Sequence, residues 1–322
     1  MSSLAPRLDA LEKNYLINGG FDFWQRGTSF ATTATTIYSA DRFFIGRDAF
    51  ATGGTISRQA GGNIQFCARV QRDNGNTGTG RVYLIQLLEL PFVKDLVGKT
   101  VTLSCKMRRG ANFSAASNQV RLSMCTGTAG TQESSGTYFN AGFTGQVRTS
   151  SNVTIASTSS FDTYSMNLAV PSGTTNMSVE LSFLPVGTAG AADYFEVSEM
   201  ALTIAPISGN VKDFTRASRT YAEELSLCQR YYWSEIPSWL YLDGYSLSAG
   251  GYLVVGSWRH PQPMRTTPTM VMCTFGTQTG LGTPAFGVNT STGFTINAVS
   301  TVNNGRMILQ GANSNMTADA EI

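Results

Sequence analysis

The chain has 322 residues, room for two ordinary domains with substantial cores. Hydrophobic residues make up 42% and charged residues only 14%, which excludes the charge-rich, core-poor composition of a disordered chain. A formal net charge of +2 invites no polyanion over the whole surface, and no dense basic run makes a nucleic-acid footprint: the nearest, "KMRRG" at 106–110, reads as a solvated strand end.

Ser, Thr, Asn and Gly stand where charge is missing. Hydroxyl and amide side chains compete with helical backbone bonds, and β-branched residues suit a pleated surface, so the expected class is mostly β. Five cysteines, at 67, 105, 125, 228 and 273, form no close metal-ligand pair and cannot all be bridged within one chain. They read as reduced, core-filling thiols. Neither a signal-peptide pattern nor an apolar run long enough to span a bilayer occurs, so a soluble chain made in the cytoplasm is expected, with neither nucleic acid nor membrane as partner.

In chain order, residues 1–14 open with a short helix. Leu4, Leu8, Leu11 and Tyr15 are spaced four, three and four, a heptad seam. So short a helix cannot stand alone in water. It is either a cap on the domain that follows or the first turns of a bundle shared between chains.

Residues 15–205 carry recurrent strands separated by turn-rich spacers. "TVTLSCKMR" alternates Val101, Leu103, Cys105 and Met107 against polar neighbours, and "NQVRLSMC", "DTYSMNLAV" and "NMSVELSF" repeat the pattern. Half-buried strands of this kind need a second sheet over their apolar faces, which predicts a two-sheet sandwich. In "YFEVSEMALTI" the apolar phase slips between Val197 and Met200, which predicts a β-bulge near Ser198 and Glu199. The glycine-rich spacers at 72–81 and 127–145 read as loops on which a binding site could be built.

Residues 206–229 form a linker and junction helix, with Ser218 as the expected N-cap and Tyr221, Leu225 and Cys228 on one face. Residues 230–322 hold short strands such as "GGYLVVGSW" and "GRMILQGA", a second and smaller β domain.

Several stretches are familiar together. "NYLINGGFDFWQRGTSF", "YSADRFF", "QLLELPFVKDLVGKTVTLSCKMR" and "DYFEVSEMAL" resemble a domain common in bacteriophage tail-fibre and receptor-binding proteins. "FTRASRTYAEELSLCQRYYW" is similar to their junction helix, and "HPQPMRTTPT" with the terminal "TADAEI" to their C-terminal domain. The resemblance implies a jelly-roll β-sandwich similar to carbohydrate-binding modules, then a small C-terminal β domain. It also implies a homotrimeric virion fibre that contacts the host surface, with the leucine seam as an intersubunit bundle. Long fibres carry a large virion-anchoring region before the jelly roll. Here about 14 residues precede it, so the chain docks on other virion proteins through that helix or belongs to a short spike, head fibre or decoration protein.

The same resemblance suggests a structural calcium ion held by Asp22 and Glu196, the alternative being two carboxylates in ordinary strand-end hydrogen bonds. Gly19 and Gly20 mark a tight turn or a close backbone approach. Asp41 and Arg42 read as local pairing that pins an entering strand, and Gln86 and Glu89 as structural. The only histidine, His260, lies in a bend and offers no catalytic partner. No cofactor and no catalysis are expected.

"CQRYYWSEIPSWLYLDGYSLSAGGYLVV" gathers aromatic rings around a turn-rich segment. Trp239 and Tyr241 share one strand face, Leu240 and Leu242 the other. The rings serve either packing between domains or subunits, or glycan contact by Trp239, Tyr241 and Tyr245 with Asp243 for the hydroxyls. The resulting expectation is a virion fibre protein that adheres to bacterial surface polysaccharide without chemistry. The alternatives are a structural head fibre or decoration protein without a receptor and, third, a polysaccharide-degrading tailspike.

Overall fold

A computed structural model describes residues 13–32, 36–48, 53–62, 64–131, 134–204, 219–237, 241–250, 252–312 and 314–321. Leu4, Leu8, Leu11, Ser218 and Trp239 lie outside the described residues. Two compact units divide between Glu224 and Leu225.

The first unit runs β1 (Ser29–Ala31), β2 (Ile37–Tyr38), β3 (Phe44–Arg47), β4 (Gly54–Gly61), β5 (Ile64–Arg72), β6 (Val82–Leu87), α1 (Leu90–Leu96), β7 (Thr100–Arg109), β8 (Gln119–Gly127), α2 (Ser135–Ala141), β9 (Val147–Thr154), β10 (Asp162–Ala169), β11 (Asn176–Phe183) and β12 (Tyr194–Ile204). Sheet A orders β1-β4-β5-β12-β7-β10 and sheet B orders β2-β3-β6-β11-β8-β9, all antiparallel. This is the two-sheet sandwich the alternation predicts, in the jelly-roll form the resemblance implies. Val101, Leu103, Cys105 and Met107 of β7 meet Val120, Leu122 and Met124 of β8 and the apolar residues of β11 in one buried core.

The bulge falls where the phase slips. Ser198 pairs with Lys106 and Ala201 with Ser104, so Glu199 and Met200 together oppose Cys105, with Glu199 at φ 50°. The N-terminal segment closes over it. Asn14 Nδ2 donates to the Met200 carbonyl at 3.1 Å, while its Oδ1 accepts from the Leu202 amide. A Cβ on Gly19 would stand 2.1 Å from the Met200 oxygen, so this close approach requires glycine. Gln86 reaches from β6 to accept from the Ile17 amide through Oε1 and donate to the Ile17 carbonyl through Nε2, both at 2.8 Å.

One expectation is corrected here. Tyr15 is 5% exposed, packs edge-on against Phe92 of α1 and donates its amide to the Leu202 carbonyl. It is a core residue of the sandwich, not an open seam position, because the chain from Asn14 already runs along β12. The loop at 72–81 is pinned: Arg72 donates to the carbonyls of Asn76 and Gly78 at 2.7 and 2.8 Å.

The helix α3 (Tyr221–Gln229) has Thr220 at its start, while the expected cap Ser218 lies outside the described residues. Thr220 Oγ1 accepts from the Glu223 amide while Glu223 takes the Thr220 amide, the reciprocal box that T-x-x-E encodes. Of the predicted helical face only Cys228 is buried; Tyr221 stands 62% exposed with its ring 4.5 Å from that of Phe23. All five cysteines are free and buried, and burial pushes the Cys67 and Cys105 thiols up to about 12, away from reactivity.

The second unit contains β13 (Tyr232–Glu235), β14 (Tyr241–Ser246), β15 (Tyr252–Arg259), β16 (Thr269–Val271), β17 (Phe275–Thr279), β18 (Ala285–Asn289), β19 (Gly293–Val299), β20 (Gly305–Ala312) and β21 (Met316–Asp319). They form three antiparallel three-stranded sheets, β13-β21-β16, β14-β20-β17 and β15-β19-β18. Their common core includes Trp233, Phe294, Ile296 and Leu309. His260 belongs to this core. It is 5% exposed, beside the rings of Trp233 and Phe294, with Nε2 3.2 Å from the Thr290 carbonyl and Nδ1 buried without a hydrogen bond.

Burial lowers the His260 pKa below its ordinary 6.5. The unfolded chain therefore takes up the proton first, and stability drops as pH falls below about 6.5. Thermal unfolding of the second unit at about pH 7.5 and about pH 5.5 should show that acid loss, and His260→Gln should shrink it. An undiminished loss in the variant would place its cause elsewhere.

Candidate functional site

The register places Tyr241, Asp243 and Tyr245 of β14 on one face, opposite Gln310, Ile308 and Arg306 of β20. Tyr241 is 52% and Tyr245 63% exposed. Asp243 accepts from Arg306 Nε at 3.0 Å, and this bond holds its carboxyl below the usual range. Tyr245 donates to the Asn304 carbonyl at 2.6 Å. Three of the residues named from sequence thus come together as an open face: two rings, about 13 Å apart along the strand, flanking an ion pair. It has no walls.

Asp22 and Glu196 do not form the expected pair of calcium ligands. Glu196 sits in β12 directly between Arg69 of β5 and Arg108 of β7, and its two oxygens take one guanidinium each, Arg69 at 2.6 Å. A cation there would face two positive charges in place of further oxygens. Asp22 lies half-buried between the Asn18–Phe21 and Trp24–Gly27 turns. Among the described residues no group of three His, Cys, Asp or Glu could hold a metal. Asp41 and Arg42, both buried, act on backbone and neighbours: Asp41 takes the Gln25 amide at 3.0 Å and Arg42 donates to the Leu87 carbonyl at 2.9 Å.

A walled site lies where the sequence suggested a loop. Within 127–145, Ser134 accepts the Thr137 amide and starts α2, and Gly142 ends it. The helix lays Tyr138 and Phe139 on the outer face of sheet B, over Phe44, Ile85, Leu87 and Cys125. Gly46 makes room for this, since a Cβ there would meet the Phe139 ring at 2.5 Å.

Beyond the covered part, the register sets Tyr83, Ser182, Arg121 and Asn152 in one row across four strands, and Ile85, Glu180, Ser123 and Ser150 in the next. A cleft of about 230 Å³ opens between this face and α2, lined by Asp48, Tyr83, Phe139, Gln146, Arg148 and Glu180, among others.

Glu180, 1% exposed, forms its floor. It accepts from Arg148 Nη2 at 3.1 Å and Nε at 3.2 Å and from the Tyr138 hydroxyl, which itself receives the Ser178 hydroxyl at 2.7 Å. Burial, with the Glu180 charge beside it, pushes the Tyr138 phenol up, so Tyr138 donates. Phe139 stands edge-on to Tyr83 at 5.4 Å and fixes that ring at the cleft wall. The arrangement offers one aromatic face, fixed donors and acceptors, and a polar floor, the requirements for holding a polyhydroxylated ligand. A smaller apolar hollow of about 100 Å³ beside Trp233, Trp258 and Phe294 in the second unit lacks that polar convergence.

Neither a family model nor a curated protein sequence matches the chain. Solved structures to which it is similar include the enzymatically active domain of Bacteriophage CBA120 tailspike protein 4, at 10% identity over 59% of this chain and 21% of that one, with TM-score 0.32. Another is the CBM22-1–GH10 modules of a Clostridium thermocellum endo-1,4-beta-D-xylanase complexed with xylohexaose, at 12% identity over 62% and 30%, TM-score 0.33. A third is a family 4 carbohydrate-binding module, at 14% identity over 58% and 97%, TM-score 0.31. The chain thus covers under a third of the first two structures.

Proposed function

We propose that this chain is a non-catalytic glycan-binding protein of a bacteriophage particle, a fibre or spike that adheres to bacterial surface polysaccharide. The observation that carries this reading is the cleft between α2 and sheet B, where the Tyr83 ring stands beside the buried Glu180–Arg148–Tyr138 network. The virion setting rests on the resemblance of the sequence stretches to tail-fibre proteins. Glu180 is held by Arg148 and Tyr138, which suits it to orienting a sugar hydroxyl more than to attacking a glycosidic carbon. A shallow cleft gives weak single-site affinity, which several copies on one fibre would multiply. The exposed Tyr241–Tyr245 face is the complementary candidate for contact between copies, since exposed Tyr rings suit protein interfaces.

Binding of the purified chain to an array of bacterial and plant polysaccharides tests the reading. Tyr83→Ala should weaken capture roughly ten-fold, about 1.4 kcal/mol, and leave the melting temperature nearly unchanged. Equal capture by the variant would move the site away from the cleft.

A further inference from the structure

Two arginines at the rim of the cleft, Arg81 and Arg121, make no ion pair among the described residues. Asp48 accepts the Arg81 backbone amide at 3.2 Å, and Arg148 is committed to Glu180. Arg81, by contrast, donates its side chain only to the Ser182 hydroxyl, at 3.4 Å. The Arg121 side chain makes neither hydrogen bond nor ion pair among the described residues, and its Nε is buried. Ser182 lies between the two arginines: Arg81 reaches it, and Arg121 is its partner across the β11–β8 ladder. Tyr83 flanks Ser182 on the other side.

Half-burying two neighbouring guanidiniums without a carboxylate between them is unfavourable, both by desolvation and by like-charge repulsion. Burial, with the Arg121 charge beside it, holds Arg81 below the usual guanidinium range. Glu196 on sheet A shows the usual resolution, one carboxylate shared by two arginines. On sheet B no carboxylate bridges Arg81 and Arg121 among the described residues; Asp48 stands near Arg81 and takes its backbone amide, not its guanidinium. A planar guanidinium fork matches a carboxylate or phosphate in two-point geometry, and the Tyr83 ring beside it suits the apolar face of the sugar that would carry such a group.

We propose that Arg81 and Arg121, with Tyr83, form a subsite for an anionic sugar unit, so that the glycan bound by this cleft is an acidic one bearing carboxylate or phosphate. This rests on the glycan-binding reading and narrows it to a chemical class. The full chain is to be tested against immobilised oligogalacturonate and polysialate, against poly(glycerol phosphate), and against neutral laminarin, xylan and dextran, at low and high salt. Arg121→Met and Arg81→Gln keep the aliphatic stems, and their melting temperatures report folding.

Capture of an acidic glycan that falls steeply with salt, and roughly ten-fold with either folded variant, is the expected result. The carboxylated and phosphorylated arms distinguish the two anion chemistries. Capture of neutral glycans alone, or acidic capture unchanged in both variants, would overturn the acidic subsite while leaving glycan binding standing. Capture of none of these glycans would overturn both.

Discussion

Asp193→Ala is expected to destabilise the sandwich by about 3–5 kcal/mol, the range for stranding one member of a buried ion pair. Asp193 and Arg72 are both fully buried and meet at 3.0 Å. Arg72 also donates to the Ser114 hydroxyl at 2.8 Å and to the Gly187 carbonyl, while Asp193 takes the Ser114 amide at 2.8 Å. The pair therefore joins the loops that follow β5 and β11 to the entry of β12. Without Asp193 the guanidinium keeps its carbonyl partners but loses the only counter-charge it pairs with among the described residues. Urea unfolding at constant m-value measures the loss. The double variant Arg72→Met with Asp193→Leu should recover much of it, because an apolar pair replaces a stranded charge. A single-variant loss below about 1 kcal/mol would mean that the ion pair contributes little.

Glu180→Ala is expected to cost about 2–3 kcal/mol and also to abolish glycan capture. The lower figure reflects Arg148, whose side chain is 35% exposed and can turn to solvent. Tyr138 cannot turn so easily. It is 3% exposed and would lose the acceptor of its hydroxyl proton while keeping the Ser178 hydroxyl as a donor to it. Loosening Tyr138 frees α2, which carries Phe139 and with it the wall that orients Tyr83. Hydrogen exchange should speed up in Ser135–Ala141 and not in β7. Binding that survives Glu180→Ala would show that the floor carboxylate is structural and that the ligand sits elsewhere.

The strands were legible because each apolar face repeats every second residue, as in Val101, Leu103, Cys105 and Met107. The bulge at Glu199 and Met200 was legible for the same reason, as a break in that parity. What covers a polar face was not. Ser178, Glu180 and Ser182 alternate with apolar residues and read as a wet face, yet all are 0–1% exposed under α2 and their larger neighbours. A seven-residue helix among glycines carries too little periodicity to read, and its one local signal was Ser134 with Gly142 flanking Tyr138 and Phe139.

On β14 the shared face of Tyr241, Asp243 and Tyr245 followed from parity alone. The Arg306 that engages Asp243 lies 63 residues away and could only come from tertiary structure. Arg69 and Arg108 are likewise distant in sequence from Glu196, which made a cation site conceivable until the strand order put both arginines beside it.

The most direct measurement is the position of a bound glycan, from a co-crystal structure of the full chain with whichever polysaccharide fragment it captures most tightly. Density is expected in the cleft between α2 and sheet B, with one sugar ring against Tyr83 and an anionic group between Arg81 and Arg121. Glycan density on the Tyr241–Tyr245 face with the cleft empty, or a chain that captures no fragment at all, would contradict the assignment of the cleft as the binding site.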